Sequence, residues 1–441
     1  MTLTFSQGQS QSHLLSQWQS HCQSLSRVEH LPPYLLGSIQ QDVVTARSQG
    51  REIIDLSHFN PEPHPPGAAL DRLVQTVLQT HNHRYSASRG IGALRQAASA
   101  HYETRFGVSC DPETEVIATM GTKEGLSHLL MAILAPGDTV LVPVPAYPIH
   151  RSAVALAGAS FLGVPLLDPD VAPDSERENA YPESCVVDAN SAGFFSRLQT
   201  AVEQAWPRPR VLLLSFPHNP TTAVATPGFF KRIVEFATAH DLILVHDFAY
   251  ADLTFDDWEA NSLLQIPGAK ERTIEFFSFS KGYGLAGWRL GFAMGAEPLV
   301  TALRKIKSYV DAGAFQPLQI AAVEVLKHSA SVTREIRDEY LIRRDTLVRG
   351  LRDLGWKVSL PKGTVFLWAR IPEAFQELRS QRFAQLLLGT GEAAKPAGVA
   401  VAPGICFDAS ADHFVRFALG ESESRIRKAM QIIKERCRAH E

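Results

Sequence analysis

The sequence predicts an α/β protein: a mostly parallel sheet with helices on both faces, followed by a smaller α+β unit. Three observations carry this expectation. Short apolar runs alternate with helix-spaced patterns through the middle of the chain. Most of those runs are continuously apolar rather than alternating, as strands covered on both faces are. The chain also has 441 residues, more than one small core takes up and suited to two domains.

The elements follow in order. Residues 1–30, rich in Gln and Ser, lack the basic start and apolar stretch of a secretory leader. They are expected to form a disordered or loosely packed arm. Folding is expected to begin near Leu31-Pro32-Pro33-Tyr34, with one helical stretch, a short strand at Glu52–Leu56, and a Pro-rich linker at Pro61–Pro66. Strand-like runs then occur at Glu115–Thr119, Thr139–Val142, Ser160–Pro165, Val211–Ser215, Leu242–His246, Thr273–Ser278 and Leu290–Met294. Between them Leu126, Leu129, Leu130, Ile133 and Leu134 recur at helical spacing. Thr226-Pro227 reads as an N-cap followed by proline at the first helical position. Alternation of this kind predicts the parallel, helix-covered sheet. The segment Asp168–Pro209 reads as a loop plus one helix. A long helical tract from Lys305 to about Leu354, strands at Trp356–Leu360, Thr364–Ala369 and Phe414–Leu419, and a last helix at Ser422–Arg438 make the smaller unit. The expected division is therefore an arm at 1–30, a large domain at 61–305, and a small domain made of 31–60 and 306–441.

Composition narrows the function. Hydrophobic residues make up 45% and charged residues 20% of the chain, ordinary for a globular protein. With 43 basic against 46 acidic residues and a net charge of −3, nothing calls for a nucleic-acid or anionic-membrane partner. No apolar run approaches the length of a bilayer span. The five cysteines, Cys22, Cys110, Cys185, Cys406 and Cys437, are scattered and read as reduced thiols of a cytoplasmic protein. The histidines show no paired ligand spacing, so no metal is expected.

Several strand ends carry chemistry. In Ser278-Phe279-Ser280-Lys281-Gly282-Tyr283-Gly284, a lysine follows directly on a β-rich run, among small residues, with Arg289 eight positions on. A lone lysine is ordinarily solvated surface; with hydroxyls at Ser278 and Ser280 and a forked guanidinium nearby, it reads as an amine nucleophile beside a phosphate clamp. Asp247, in His246-Asp247-Phe248-Ala249-Tyr250, ends the apolar run before it. It reads either as a helix N-cap or as a carboxylate that keeps a pyridine nitrogen protonated. Tyr250 is a packing aromatic or a donor to a ring oxygen. Asn219, in Phe216-Pro217-His218-Asn219-Pro220, is a turn residue or a second donor to that oxygen. Met120-Gly121-Thr122-Lys123-Glu124-Gly125 joins a strand to a helix, and backbone N–H groups there suit phosphate. Tyr147, in Pro145-Ala146-Tyr147-Pro148, sits in a rigid turn or stacks on a ring.

Taken in order, these segments resemble the class I/II aminotransferases of pyridoxal-phosphate (PLP) fold type I, from about Leu31 to the C-terminus. Tyr85-Ser86-Ala87-Ser88-Arg89-Gly90-Ile91, Gly121–Leu126, Ala146–His150 and Ala286–Arg289 look closest to the bacterial glutamate–pyruvate (alanine) subgroup. The resemblance implies a PLP cofactor, held covalently by Lys281 as a Schiff base. It implies that Asp247 pairs with the pyridinium nitrogen, that Asn219 and Tyr250 hold the ring oxygen, and that Tyr147 stacks on the ring. Phosphate contacts fall to the Gly121-Thr122-Lys123 turn, Ser278, Ser280 and Arg289. Tyr85 is similar to a tyrosine that reaches the phosphate of a neighbouring subunit, which implies a homodimer. Arg416, which alone reads as a strand-edge charge, matches the arginine that grips the substrate α-carboxylate. Phe59, in Leu56-Ser57-His58-Phe59-Asn60-Pro61, departs from the family's usual glycine and is expected to narrow the substrate wall or shift its loop. The implied reaction moves an amino group between an L-amino acid, alanine favoured, and a 2-oxo acid such as 2-oxoglutarate. The alternatives are aspartate or LL-diaminopimelate as donor, or another enzyme of the same fold such as a β-lyase. A PLP-sensing DNA-binding regulator is disfavoured, because residues 1–30 are too short and not basic enough for a DNA-binding domain.

Overall fold

A computed structural model of the chain describes residues 31–61, 65–167, 186–390 and 396–438. The expected arm at 1–30, Cys22, Cys185 and most of the acidic part of the 168–209 segment lie outside the described residues.

The strands, in chain order, are β1 (Glu52–Leu56), β2 (Val116–Thr119), β3 (Thr139–Val144), β4 (Ser160–Pro165), β5 (Val186–Val187), β6 (Pro209–Ser215), β7 (Val224–Ala225), β8 (Ile243–Asp247), β9 (Thr273–Ser278), β10 (Gly291–Gly295), β11 (Phe366–Arg370), β12 (Ala397–Pro403) and β13 (Phe414–Ala418). Seven of them form one sheet in the order β2-β10-β9-β8-β6-β3-β4. All neighbours in it are parallel except β10, which is antiparallel to both β2 and β9. These seven are the strand-like runs of the sequence, with ends shifted by a residue or two.

Their continuous apolar character has a direct cause. Along β6, Val211 and Leu213 pack into the core on one face, while Leu212 and Leu214 pack into the core on the other. Each is fully buried, and burial of such a side chain stabilises by about 1.5–3 kcal/mol. Helix Thr122–Ile133 covers the first face through Leu126, Leu129 and Leu130. Helix Pro227–Ala239 covers the second through Phe229, Phe230 and Ile233. Its start is capped as the sequence predicts: Thr226 Oγ1 accepts from the Phe229 N–H at 3.2 Å, with proline next.

A second sheet has the order β1-β12-β13-β11, with β1 parallel to β12 and the other pairs antiparallel. Its core gathers Leu56, Phe59, Leu367, Val401, Phe417, Ile426 and Ile433 with the long helix Ser329–Asp353 and the last helix, Glu423–Arg438.

Four expectations need correction. The run Trp356–Leu360 is not a strand. Trp356 and Val358 are buried in alternation, but the Val358 carbonyl is taken by the Arg352 guanidinium at 2.9 Å, so no ladder forms. Strand β12 was not expected; it is built from Ala-Gly-Val-Ala-Val-Ala-Pro, whose small residues carry little strand propensity. The tract after Lys305 is three helices, Glu297–Val310, Gln316–Lys327 and Ser329–Asp353, rather than one. The segment before Pro209 holds, besides helix Ala192–Gln204, the two-residue strand β5, paired with β7.

Candidate active site

Side chains with the predicted chemistry converge at the carboxyl ends of β6, β8 and β9, where ligands of open α/β sheets gather. Ser215 and Asp247 stand side by side in the ladder at the ends of β6 and β8. Ser278 ends β9, and Lys281 follows in the next turn. These residues line a cleft of about 1210 Å³, measured out to its open mouth. Thr122, Lys123, Tyr147, Asn219, Asp247, Tyr250, Ser278, Ser280, Lys281, Arg289, Arg416 and Phe59 all line it. Of the residues singled out from sequence, Gly121 and Tyr85 do not. Gly121 lies just behind the wall as N-cap of helix Thr122–Ile133. Tyr85 is away from the cleft and 93% exposed.

The Lys281 amine sits 4.7 Å from the centre of the Phe59 ring. Its pKa is brought down to about 8, chiefly by burial, then by the Arg289 and Arg416 charges, with Asp247 opposing. Asp247 is buried, and its Oδ2 lies 3.0 Å from His150 Nε2. Its Oδ1 accepts from the Ala249 N–H at 3.3 Å. His150 is in the first turn of helix Pro148–Leu156, three residues after Tyr147. Sequence reasoning gave it no role, although that spacing puts both rings on one side of the helix start.

Across the cleft, Asn219 Nδ2 donates to the Tyr250 hydroxyl at 3.4 Å. Burial pushes the Tyr147 phenol up to about 12, and raises that of Tyr250 further, so both remain O–H donors. Arg416, from β13, is buried; it donates to Asn219 Oδ1 at 2.8 Å and to the Ser57 carbonyl at 3.0 Å. Its guanidinium lies 4.0 Å from the Phe366 ring centre and 4.7 Å from that of Phe407. Burial lowers its pKa to about 10. Its Nε has no protein partner, an orphaned buried donor on an arginine that lines the cleft.

Phe59 forms part of the cleft wall. It is buried, packs on Tyr340 at 5.5 Å and edge-on to Phe366 at 6.1 Å, and belongs to the core of the smaller sheet.

The Gly121 turn brings a helix start and Arg289 together. Gly121 has φ +83° and precedes the helix that starts at Thr122. A Cβ there would come within 2.8 Å of Arg289 Nη2. Glycine thus leaves room for the guanidinium beside the start of the helix, where backbone N–H groups favour anions. Arg289 itself is held in the left-handed region, φ +52°, and donates to the Ala286 carbonyl at 3.1 Å. Ser278 Oγ accepts from the Ser280 N–H at 3.1 Å, which orients both hydroxyl-bearing residues beside it.

The aminotransferase class I and II family model matches residues 51–433. The chain belongs to this family. It is 42% identical over 414 residues to the Escherichia coli glutamate-pyruvate aminotransferase AlaC, covering 94% of each chain. It is 37% identical to an LL-diaminopimelate aminotransferase of Moorella thermoacetica, over 93% of this chain and 98% of the relative. Among solved structures it is similar to Bacillus subtilis BacF, with TM-score 0.80, 32% identity, and coverage of 93% and 98%. The fold is that of a type I aminotransferase, and the protein is a transaminase. No helix among the described residues is long and apolar enough to cross a membrane.

Proposed function

We propose that this aminotransferase binds pyridoxal phosphate on Lys281 and exchanges amino groups between L-alanine and 2-oxoglutarate. One observation carries the cofactor reading: a half-buried lysine amine, a buried carboxylate, an arginine set against a glycine-led helix start, and a buried guanidinium meet at one cleft. The similarity to a glutamate-pyruvate aminotransferase supports the choice of substrates. The similarity to LL-diaminopimelate aminotransferases favours a second donor, LL-diaminopimelate, which the test includes.

When bound, pyridoxal phosphate supplies an aldehyde that takes up the amino group and a ring that accepts the electrons of the broken C–H bond. The chain's own residues do the rest. The Gly121 turn, the backbone N–H groups of Thr122 and Lys123, Ser278, Ser280 and Arg289 hold the phosphate. Asp247, fixed by His150, keeps a proton on the ring nitrogen. Asn219 and Tyr250 donate to the ring oxygen, and Tyr147 covers the ring face. Arg416 orients the substrate through its α-carboxylate, with Phe59 as the adjoining wall. Lys281 Nζ, once freed, takes the α-proton and later returns one, acting as base and then acid. A pKa near 8 makes a neutral amine accessible close to neutral pH.

The protein works as a cytoplasmic homodimer, in which Tyr85 of each copy reaches the other's phosphate site; its 93% exposure leaves it free to do so.

The test is a half-reaction screen on the purified protein. Alanine, glutamate, aspartate and LL-diaminopimelate are added singly, and the cofactor absorbance is followed. Alanine and glutamate are expected to bleach the band, and a 2-oxo acid to restore it. Bleaching by LL-diaminopimelate but not alanine reassigns the donor. A band that no donor reversibly bleaches ends the transfer reading at this site.

A further inference from the structure

The turn that follows β8 carries more than Asp247 and Tyr250. It ends at Asp252, which is buried yet does not line the cleft. Asp252 lies under the lysine turn. A Cβ built at Gly282 would stand 2.3 Å from Asp252 Cβ and 3.3 Å from its Oδ2. The backbone immediately after Lys281 therefore rests on this side chain, and only glycine permits the approach. From the other side Asp252 is ion-paired with Arg105, in the last turn of helix Gly92–Phe106. The same guanidinium donates to the Ala251 carbonyl at 2.8 Å and lies 4.8 Å from the Phe106 ring centre. One arginine thus grips both the side chain and the backbone of the turn. The lysine turn is fixed at its far end as well: Tyr283 is fully buried between Phe277 and Phe279, with ring centres at 6.0 and 5.5 Å.

From this we infer that Arg105 and Asp252 are positioning residues, which lock the lysine turn onto the Asp247 turn and so aim the Lys281 amine into the cleft. The charges that set the proton affinity of Lys281 are those of Arg289, Arg416 and Asp247. Asp252 acts instead through the backbone of Gly282. Misplacement of a reacting atom by about an ångström weakens a reaction by up to about 100-fold, so a local clamp of this kind matters at the amine and little elsewhere. The inference rests on the reading that Lys281 carries pyridoxal phosphate. Attachment joins Nζ to the aldehyde carbon, and the aldehyde oxygen leaves as water.

The experiment separates attachment from binding. Pyridoxine 5′-phosphate has the ring and the phosphate but no aldehyde, so its affinity reports the cleft without the lysine. Wild type, Arg105→Gln, Arg105→Lys and Gly282→Ala are stripped of cofactor. Each is titrated with pyridoxine 5′-phosphate and with pyridoxal phosphate, the latter followed by absorbance. Attachment is expected to weaken about 10- to 100-fold in Arg105→Gln and Gly282→Ala. Pyridoxine 5′-phosphate affinity should stay within about twofold of wild type, and Arg105→Lys should recover part of the loss. Attachment that is unchanged, or affinities for both ligands that fall together, overturns the inference. If Arg105→Gln does not fold, Gly282→Ala decides, since it keeps both charged groups and disturbs the turn only where its backbone rests on Asp252. Borohydride reduction and peptide mapping of the wild type guard the premise. Attachment at another lysine, or none, overturns the cofactor reading itself. Attachment at Lys281 that the variants leave untouched overturns only the positioning role.

Discussion

At Lys281, burial and two neighbouring guanidinium groups outweigh one carboxylate, and the amine loses affinity for its proton. A lysine in the unfolded chain keeps its proton to about pH 10.4, whereas the folded value is about 8. Between these values unfolding takes up a proton, so stability rises with pH across that window. In cofactor-free protein, Lys281→Met is expected to raise the melting temperature at pH 7. That advantage should shrink as the pH climbs through 8 toward 10. Thermal scans across this range check it, and a pH-independent advantage would show that the amine is not the source. Asp247 has a different task. Asp247→Asn keeps the shape and the His150 contact but removes the charge, and transamination should fall about 100- to 1000-fold with the cofactor still bound. Single-turnover rates and bound-cofactor absorbance measure the two separately. Arg416 is stacked and forked, holding Asn219 and Ser57 with separate nitrogens. Arg416→Lys supplies charge without the fork. It should raise KM for the amino acid about 10- to 100-fold, the worth of a hydrogen bond to a charged group. An unchanged KM would remove Arg416 from the carboxylate site.

At the scale of elements, helix Thr122–Ile133 points its start at the cleft and is held there from behind. Lys307, buried in helix Glu297–Val310, places its ammonium 2.8 Å from Glu124 Oε1 and 2.9 Å from Asp311 Oδ2. Glu124 Oε2 in turn accepts from the Met120 N–H at 2.7 Å, which fixes the turn leading into Gly121. Lys307→Ala would take the ammonium from Glu124 and Asp311 and leave them only the His128 ring, whose Nδ1 lies 2.6 Å from Glu124 Oε1. It is expected to destabilise by about 1–3 kcal/mol, the cost of leaving part-buried charged groups without a hydrogen-bond partner, read from urea unfolding. The elements also show where pattern reading succeeds. Helix Pro227–Ala239 announces its own start with Thr226 and Pro227, a local signal. Strand β12 does not announce itself, because its residues are small and its place is given by β1 and β13 on either side. Trp356–Leu360 errs the other way: burial alternates, yet the backbone has no ladder partner.

For the whole molecule, the cleft takes its walls from both sheets. Asp247, Ser278 and Lys281 come from the end of the seven-stranded sheet, and Phe366 and Arg416 from the four-stranded one. We propose the two-unit division of 61–305 against 31–60 with 306–441, with one refinement. Helix Gln316–Lys327 packs on helices Gly67–Val77 and Gly92–Phe106, so the crossing lies nearer His328. The dimer reading belongs to this scale too. Mixing Tyr85→Ala protein with Lys281→Ala protein should restore activity, because a mixed dimer rebuilds one site from the intact halves. No recovery in verified mixed dimers would place Tyr85 outside the site.

The sequence by itself determined the seven strands of the large sheet, since burial on both faces writes a continuous apolar run. It also carried the family resemblance, since asparagine, aspartate, lysine and arginine (Asn219, Asp247, Lys281, Arg289) follow one another at the strand ends in the family's order. Tertiary structure decided what no local pattern encodes: that His150 meets Asp247, 97 positions away, and that Arg416 reaches Asn219 across 197 positions. It decided as well that Phe59 packs into the small-sheet core while facing Lys281, and that Arg105 and Asp252 stand behind the lysine turn. Such pairings join residues from different elements, and a sequence pattern records only what each element needs for itself.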